Sequence, residues 1–176
     1  MLIKIIKWIS ILYFSLLIIF LLLGLIIPKK YTISEKITIN KPQAEVYEYI
    51  KLLKNQELYS VWILDDTTNT IRYIGVDGTI GAQAVWVSEK SGKGSQTISK
   101  LDGERVDVDL KFIEPYESNQ KASTIAKKIS VTQSEVISEF YDTEVYPMNV
   151  VSFISKIIIR DAEKRNFINL KNILEK

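Results

Sequence analysis

Glu35, Tyr73 and Glu139 carry side chains suited to moving a proton. A carboxyl group or a phenol acts as general acid or base when it lies within hydrogen-bond reach of a reacting atom. Nothing in the spacing of these three requires such a role. Asp65 and Asp66 suggest a cation site or an acid/base pair, but adjacent carboxylates do not readily converge, and a polar loop accounts for them better. Gly75, Gly78 and Gly81 lack the strand-to-helix context of a phosphate loop and read as hairpin glycines. Cysteine and histidine are both absent, which removes disulfides, thiolate nucleophiles, Ser-His-Asp triads and His- or Cys-based zinc or haem sites. No catalytic residue, metal ligand or cofactor site is assigned on these grounds.

The residues suit a cavity better. Trp62, Tyr73, Trp86, Phe112 and Phe140 are the large aromatics that could line an apolar pocket, since ligand sites are concave, largely apolar and sparsely polar. The plain alternative is ordinary core, where aromatics also dominate. Ala162 would leave room in such a pocket. Asn166 would offer a hydrogen bond to a ligand headgroup, or would be satisfied by backbone or water.

The element that must position them is Pro147 to Lys176, read as one long helix. Val151, Ile154, Ile158, Ala162, Leu170 and Ile173 recur at three- and four-residue steps, and Asn166 fills the gap in the stripe. Against it stand runs with strand texture: Tyr31 to Ile39, Ile71 to Val76, Ile80 to Ser88, Gly94 to Leu101, Glu104 to Ile113, Asn119 to Ile129 and Ser134 to Tyr141. Val106, Val108, Leu110 and Phe112 alternate with Arg105, Asp107, Asp109 and Lys111, giving one buried and one wet face. Asp77-Gly78, Ser91-Gly92 with Gly94, and Asp102-Gly103 are expected to supply the positive φ of tight hairpins. A short helix starts after Pro42, and Asn55 to Asp66 is a second short helix or loop expected to fold over the end of the sheet.

The first thirty residues form a separate segment, leaving one domain at 31–176. From Trp8 to Ile27 the chain is uncharged and apolar, and a helix of that length spans roughly 30 Å, the thickness of a bilayer core. It runs straight into Pro28-Lys29-Lys30 without a small-residue cleavage site, which favours an uncleaved transmembrane anchor over a signal peptide. The short tail before it suits the inner side of a cell membrane, placing the domain on the extracytoplasmic side. Of the 23 basic residues, Lys4, Lys7, Lys29 and Lys30 belong to this segment, so the domain holds 19 against 21 acids, a net −2. No basic stripe with interleaved aromatics is present, and nucleic acid is set aside as a partner.

Local motifs then resemble a known family. Pro42-Gln43-Ala44-Glu45-Val46-Tyr47 resembles the opening helix, and Leu58-Tyr59-Ser60-Val61-Trp62 the Trp-rich segment, of the START and polyketide-cyclase (SRPBCC) superfamily. Gly75, Gly78, Gly81-Ala82 and Trp86, followed by Gly92, Gly94, Thr97 and Ile98, resemble the spaced glycines of its bacterial branch. Tyr146-Pro147-Met148-Asn149 and Asn169-Leu170-Lys171 resemble the opening and close of its long helix. Two positions depart from the pattern: Ser138 stands where a late-strand aromatic is usual, and Asn166 where the helix glycine is. The resemblance covers 31–176. It implies an α+β helix-grip fold, an antiparallel sheet of about seven strands wrapped on the C-terminal helix. It also implies a small hydrophobic or amphipathic, lipid-like ligand. The alternatives are a cyclase- or dehydrase-type enzyme, and a non-catalytic domain with a filled interior that binds a protein partner.

Overall fold

The computed structural model describes residues 1–176, apart from the side chains of residues 142 and 154. An apolar helix, α1 (Leu2–Ile26), leads into β1 (Lys30–Ile39). Next come α2 (Gln43–Ile50), a 3-10 turn (Leu53–Asn55) and two single-turn helices, α3 (Gln56–Tyr59) and α4 (Val61–Leu64). Six strands follow: β2 (Thr70–Ile74), β3 (Gln83–Ser88), β4 (Gly92–Leu101), β5 (Arg105–Glu114), β6 (Ser118–Lys128) and β7 (Ser134–Thr143). The chain closes with α5 (Asn149–Leu174). The sheet has seven strands in the order β1-β7-β6-β5-β4-β3-β2, all neighbouring pairs antiparallel. It is thus the meander expected from the hairpin signals, with β1 folded back onto the last strand, and the helix-grip architecture is present.

Alternation assigns the two faces of the sheet. Val106, Val136, Ile39 and Ala126 lie on the inner face and join Val46 and Ile50 of α2 and Phe167, Leu170 and Leu174 of α5 in the main core. A second cluster, Leu53, Ala82, Ala84 and Ile98, lies under the β3–β4 side. The end of α5 is fastened to β1, since Lys171 Nζ donates to Thr38 O at 2.8 Å and Glu175 Oε1 accepts from Asn40 N at 2.6 Å.

The inward stripe differs from the expected one in its first half. Ala162, Asn166 and Leu170 are buried and Ile173 is half-buried, but Val151 and Ile158 are exposed, and Ile154 lies outside the described residues. Asn149 and Ser152 are buried instead, with Ile159 half-buried. From Val150 to Ile159 apolar residues surround the helix, so spacing alone has no phase to lock onto. Asn149 sets the phase, because its Nδ2 donates to Gly24 O at 2.8 Å and Ile27 O at 2.6 Å at the end of α1. Asn55 to Asp66, expected over the end of the sheet, packs α3 and α4 against α5.

Gly94 is a second correction. Gly78, Gly92 and Gly103 take positive φ (75°, 72° and 90°), whereas Gly94 does not; its lack of a side chain has another cause. Trp86 pairs with Gly94, which pairs with Phe112, in one row across the inner face. A Cβ on Gly94 would lie 2.2 Å from Trp86 Cζ2, so the indole occupies the space a side chain would fill.

Candidate functional site

The inner face of the sheet carries a charge that its apolar pattern does not announce. Glu35 on β1 pairs with Ser138 on β7, so both face α5 between the buried Ile33 and the half-buried Ile37. Glu163 projects from the facing side of the helix, one residue after the buried Ala162. Burial pushes the Glu163 carboxyl above its ordinary value and the charge of Glu35 adds to that, while the Ser138 hydroxyl and the Asn166 amide act in the opposite direction. Asn166 Nδ2 donates to Glu163 Oε1 at 3.2 Å. Arg160 reaches Glu35 at 3.0 Å from the more exposed side, so the deeper carboxylate is the one without a cation among the described ion pairs. Tyr59 closes the group: burial, Glu163 and Tyr49 all raise its phenol.

Ser138 and Asn166 thus both border Glu163. The small serine leaves volume on the strand, and the asparagine amide supplies a donor on the helix. Together they accommodate a carboxyl group that would otherwise be costly to bury. Glu163 went unrecognised in the sequence because charges are common on helices. The available signal was its place three residues before Asn166 and next to Ala162.

The aromatics separate into groups. Trp86 and Phe112 meet edge to face with centroids 5.5 Å apart, both half-buried on the inner face. Phe140 is half-buried there too, opposite Ile33. Tyr73 lies beside the second core cluster, its phenol raised by burial and by Glu57. Trp62 is 44% exposed on α4, apart from these. Ala162 is buried yet belongs to neither core cluster. Asn166 has a structural duty as well: its Oδ1 accepts from Val61 N at 2.7 Å and holds the start of α4 on α5.

The other proton-transfer candidates are engaged elsewhere. Glu139 faces the outer side of the sheet, where Arg105 Nη1 donates to it at 3.2 Å and the Tyr141 hydroxyl bonds to it closely. Asp65 pairs with Arg165 at 2.6 Å. Asp66 accepts from the Ser88 hydroxyl and from Thr68 N and Oγ1, and these bonds lower its pKa to about 2. It ties the loop after α4 to the end of β3.

A raised carboxyl pKa means that the native state holds the Glu163 proton more tightly than the unfolded chain does. Stability from this group is present at acid pH and is lost as pH rises from the ordinary value of 4.5 through the raised one. Glu163→Gln removes the cost of ionisation while keeping the shape. The variant is expected to match the parent in melting temperature near pH 4 and to exceed it at neutral pH. A gap that does not change with pH would show that Glu163 ionises in the folded protein as freely as in water.

No family model matches the chain and no curated protein matches it. Solved structures do. Truncated norcoclaurine synthase from Thalictrum flavum superposes with a TM-score of 0.61 at 9% identity, over 82% of this chain and 92% of that one. The di-domain ARO/CYC protein BexL of the BE-7585A biosynthetic pathway gives 0.61 at 13% identity, over 82% of this chain and 46% of that one. Aha1 from Colwellia psychrerythraea, solved as a dimer, gives 0.55 at 15% identity, over 82% and 96%. At such identities the likeness is one of fold.

Proposed function

We propose that this chain is a membrane-anchored protein whose domain holds a small amphipathic molecule between the sheet and α5, with Glu163 meeting the molecule's polar end. The observation that carries this reading is the placement of Ser138 and Asn166 around Glu163 on an inner surface otherwise walled by residues such as Phe140, Ile33 and Ala162. A carboxyl group raised by burial accepts or donates a hydrogen bond according to its charge, which suits a hydroxyl, amine or amide headgroup. Trp86 and Phe112 would bound the apolar end. The anchor is α1, long and apolar enough to cross a bilayer and almost wholly without cover from the rest of the chain.

Native mass spectrometry of the detergent-extracted full chain tests the reading. A stoichiometric small-molecule adduct is expected on the parent and not on Ala162→Trp, whose indole would fill the space beside Glu163. Retention of the parent's melting temperature by that variant supports an open interior. Early melting, with no adduct ever seen on the parent, would mean a filled core, where overpacking costs roughly 1 to 3 kcal/mol.

A second reading is favoured by the same carboxyl group: a cyclase- or dehydrase-type enzyme with Glu163 as proton donor. Norcoclaurine synthase of the same fold has been solved with dopamine and hydroxybenzaldehyde. The two readings part at Glu163→Gln, which as a binding residue weakens retention of the molecule and as an acid leaves it bound but unconverted.

A further inference from the structure

The first half of α5 faces outward with apolar residues. Val151, Phe153, Ile157 and Ile158 are exposed on its outer side, Ile157 by 66%. From Arg160 onward that side changes character: Arg160, Asp161, Lys164 and Arg165 are exposed, and Ile168 is the single large apolar residue exposed beyond them on the helix. Between Asn149 and Ile159 the one charged side chain is Lys156, whose Nζ lies 3.9 Å from the centroid of the Tyr31 ring and 5.8 Å from that of Phe153, a long stem that can lay its charge at the edge of the apolar side. A helix that is apolar on its solvent side for three turns and mainly charged thereafter is crossing a boundary between two media.

The position of α1 identifies the medium. Tyr146 Oη donates to Leu21 O at 3.3 Å, and Asn149 Nδ2 bonds to Gly24 O and Ile27 O. Gly24 is bare because Tyr146 and Pro147 lie where its Cβ would be, the ring carbon 2.9 Å away. The uncharged stretch ends at Ile27, before Pro28 and Lys29. Leu21 is six residues earlier, about 9 Å along the axis at a rise of about 1.5 Å per residue. A hydroxyl bonded to Leu21 O therefore sits at the depth of the span's last two turns. Lys29 over the Tyr146 ring, at 5.9 Å, and Lys156 over Tyr31 place two lysines on two tyrosines around the exit of α1, the composition of a membrane interface.

We propose that the first three turns of α5 after Asn149, Val150–Ile159, are a second contact with the bilayer that α1 enters, lying at the boundary of headgroups and acyl chains with Phe153 and Ile157 toward lipid. This rests on the anchor reading above and adds a fixed posture: the domain is not tethered loosely but seated, with the start of its gripping helix in the interface.

The absence of native cysteine allows single labels. Full-length chains carrying Phe153→Cys, Ile157→Cys, Leu12→Cys or Thr132→Cys, each bearing an environment-sensitive fluorophore, are reconstituted into phosphatidylcholine/phosphatidylglycerol vesicles containing nitroxide lipids. Labels at 153 and 157 are expected to be blue-shifted and quenched most by nitroxides near the headgroup. Leu12→Cys should be quenched most by nitroxides at the chain end, and Thr132→Cys, in the far turn, by neither. Labels at 153 and 157 as unquenched as at 132, with 12 still quenched, would leave the anchor standing and overturn the second contact. An unquenched label at 12 would overturn the anchor reading itself. Blue-shifted but unquenched labels at 153 and 157 would assign the surface to a second protein copy, and overturn the proposal.

Discussion

Gly94→Val is expected to lower unfolding free energy by about 3 kcal/mol or more, toward the upper end of what overpacking a core produces. Atoms of two residues stand where the new Cβ must go, Trp86 Cζ2 and Cη2 at 2.2 and 2.7 Å and Lys111 O at 2.6 Å. A ring can swing aside; a strand carbonyl paired across the sheet cannot move without loosening β4 from β5. The position is already constrained, since the β4–β5 register shifts between Lys93 and Gly94. The damage should reach the site, because Trp86 leans edge-on against Phe112 in the same row. Equilibrium urea unfolding measures the cost, and near-ultraviolet circular dichroism follows the tryptophan. A variant with the parent's midpoint and an unchanged aromatic spectrum would show that the inner surface has slack beneath Trp86, and the account of Gly94 would fail.

The same glycine shows what the sequence could and could not convey. Hairpin signals at Asp77-Gly78, Gly92 and Asp102-Gly103 are local, so turns and strand order could be read from neighbours in the chain. Gly94 was grouped with them because a glycine without its surroundings does not say whether it is needed for torsion or for space. The long helix was legible from its second half, where Ala162, Asn166 and Leu170 alternate with charged outer residues. The first half was not, because its phase comes from Asn149 binding the carbonyls of α1, more than a hundred residues earlier. The strand that follows the apolar helix begins at Lys30, the last residue assigned to the separate segment, where it already pairs with Thr143. The charged interior was least legible. Glu35 stood among three equal candidates, and only pairing with Ser138 under α5 separates it from Glu139, which the register turns outward.

Asn166→Leu is expected to destabilise the protein by about 2 kcal/mol, the cost of leaving a buried donor unmade. Leucine nearly preserves the volume, so a cavity contributes little and the loss reports polar contacts. The Val61 N–H, buried on the underside of α4, would lose its acceptor at 2.7 Å, and Glu163 would lose the donor at 3.2 Å. The second loss predicts a coupling. In the Glu163→Gln background the residue at 163 is neutral and needs the Asn166 donor less, so Asn166→Leu should cost measurably less there than in the parent at neutral pH. Near pH 4, where the residue at 163 is neutral in both backgrounds, by protonation in the parent and by substitution in the variant, the two costs should converge. A double-mutant cycle in chemical denaturation at both pH values reads this directly. Equal costs at neutral pH would confine Asn166 to holding α4, and would remove it from the polar group that the proposed ligand meets.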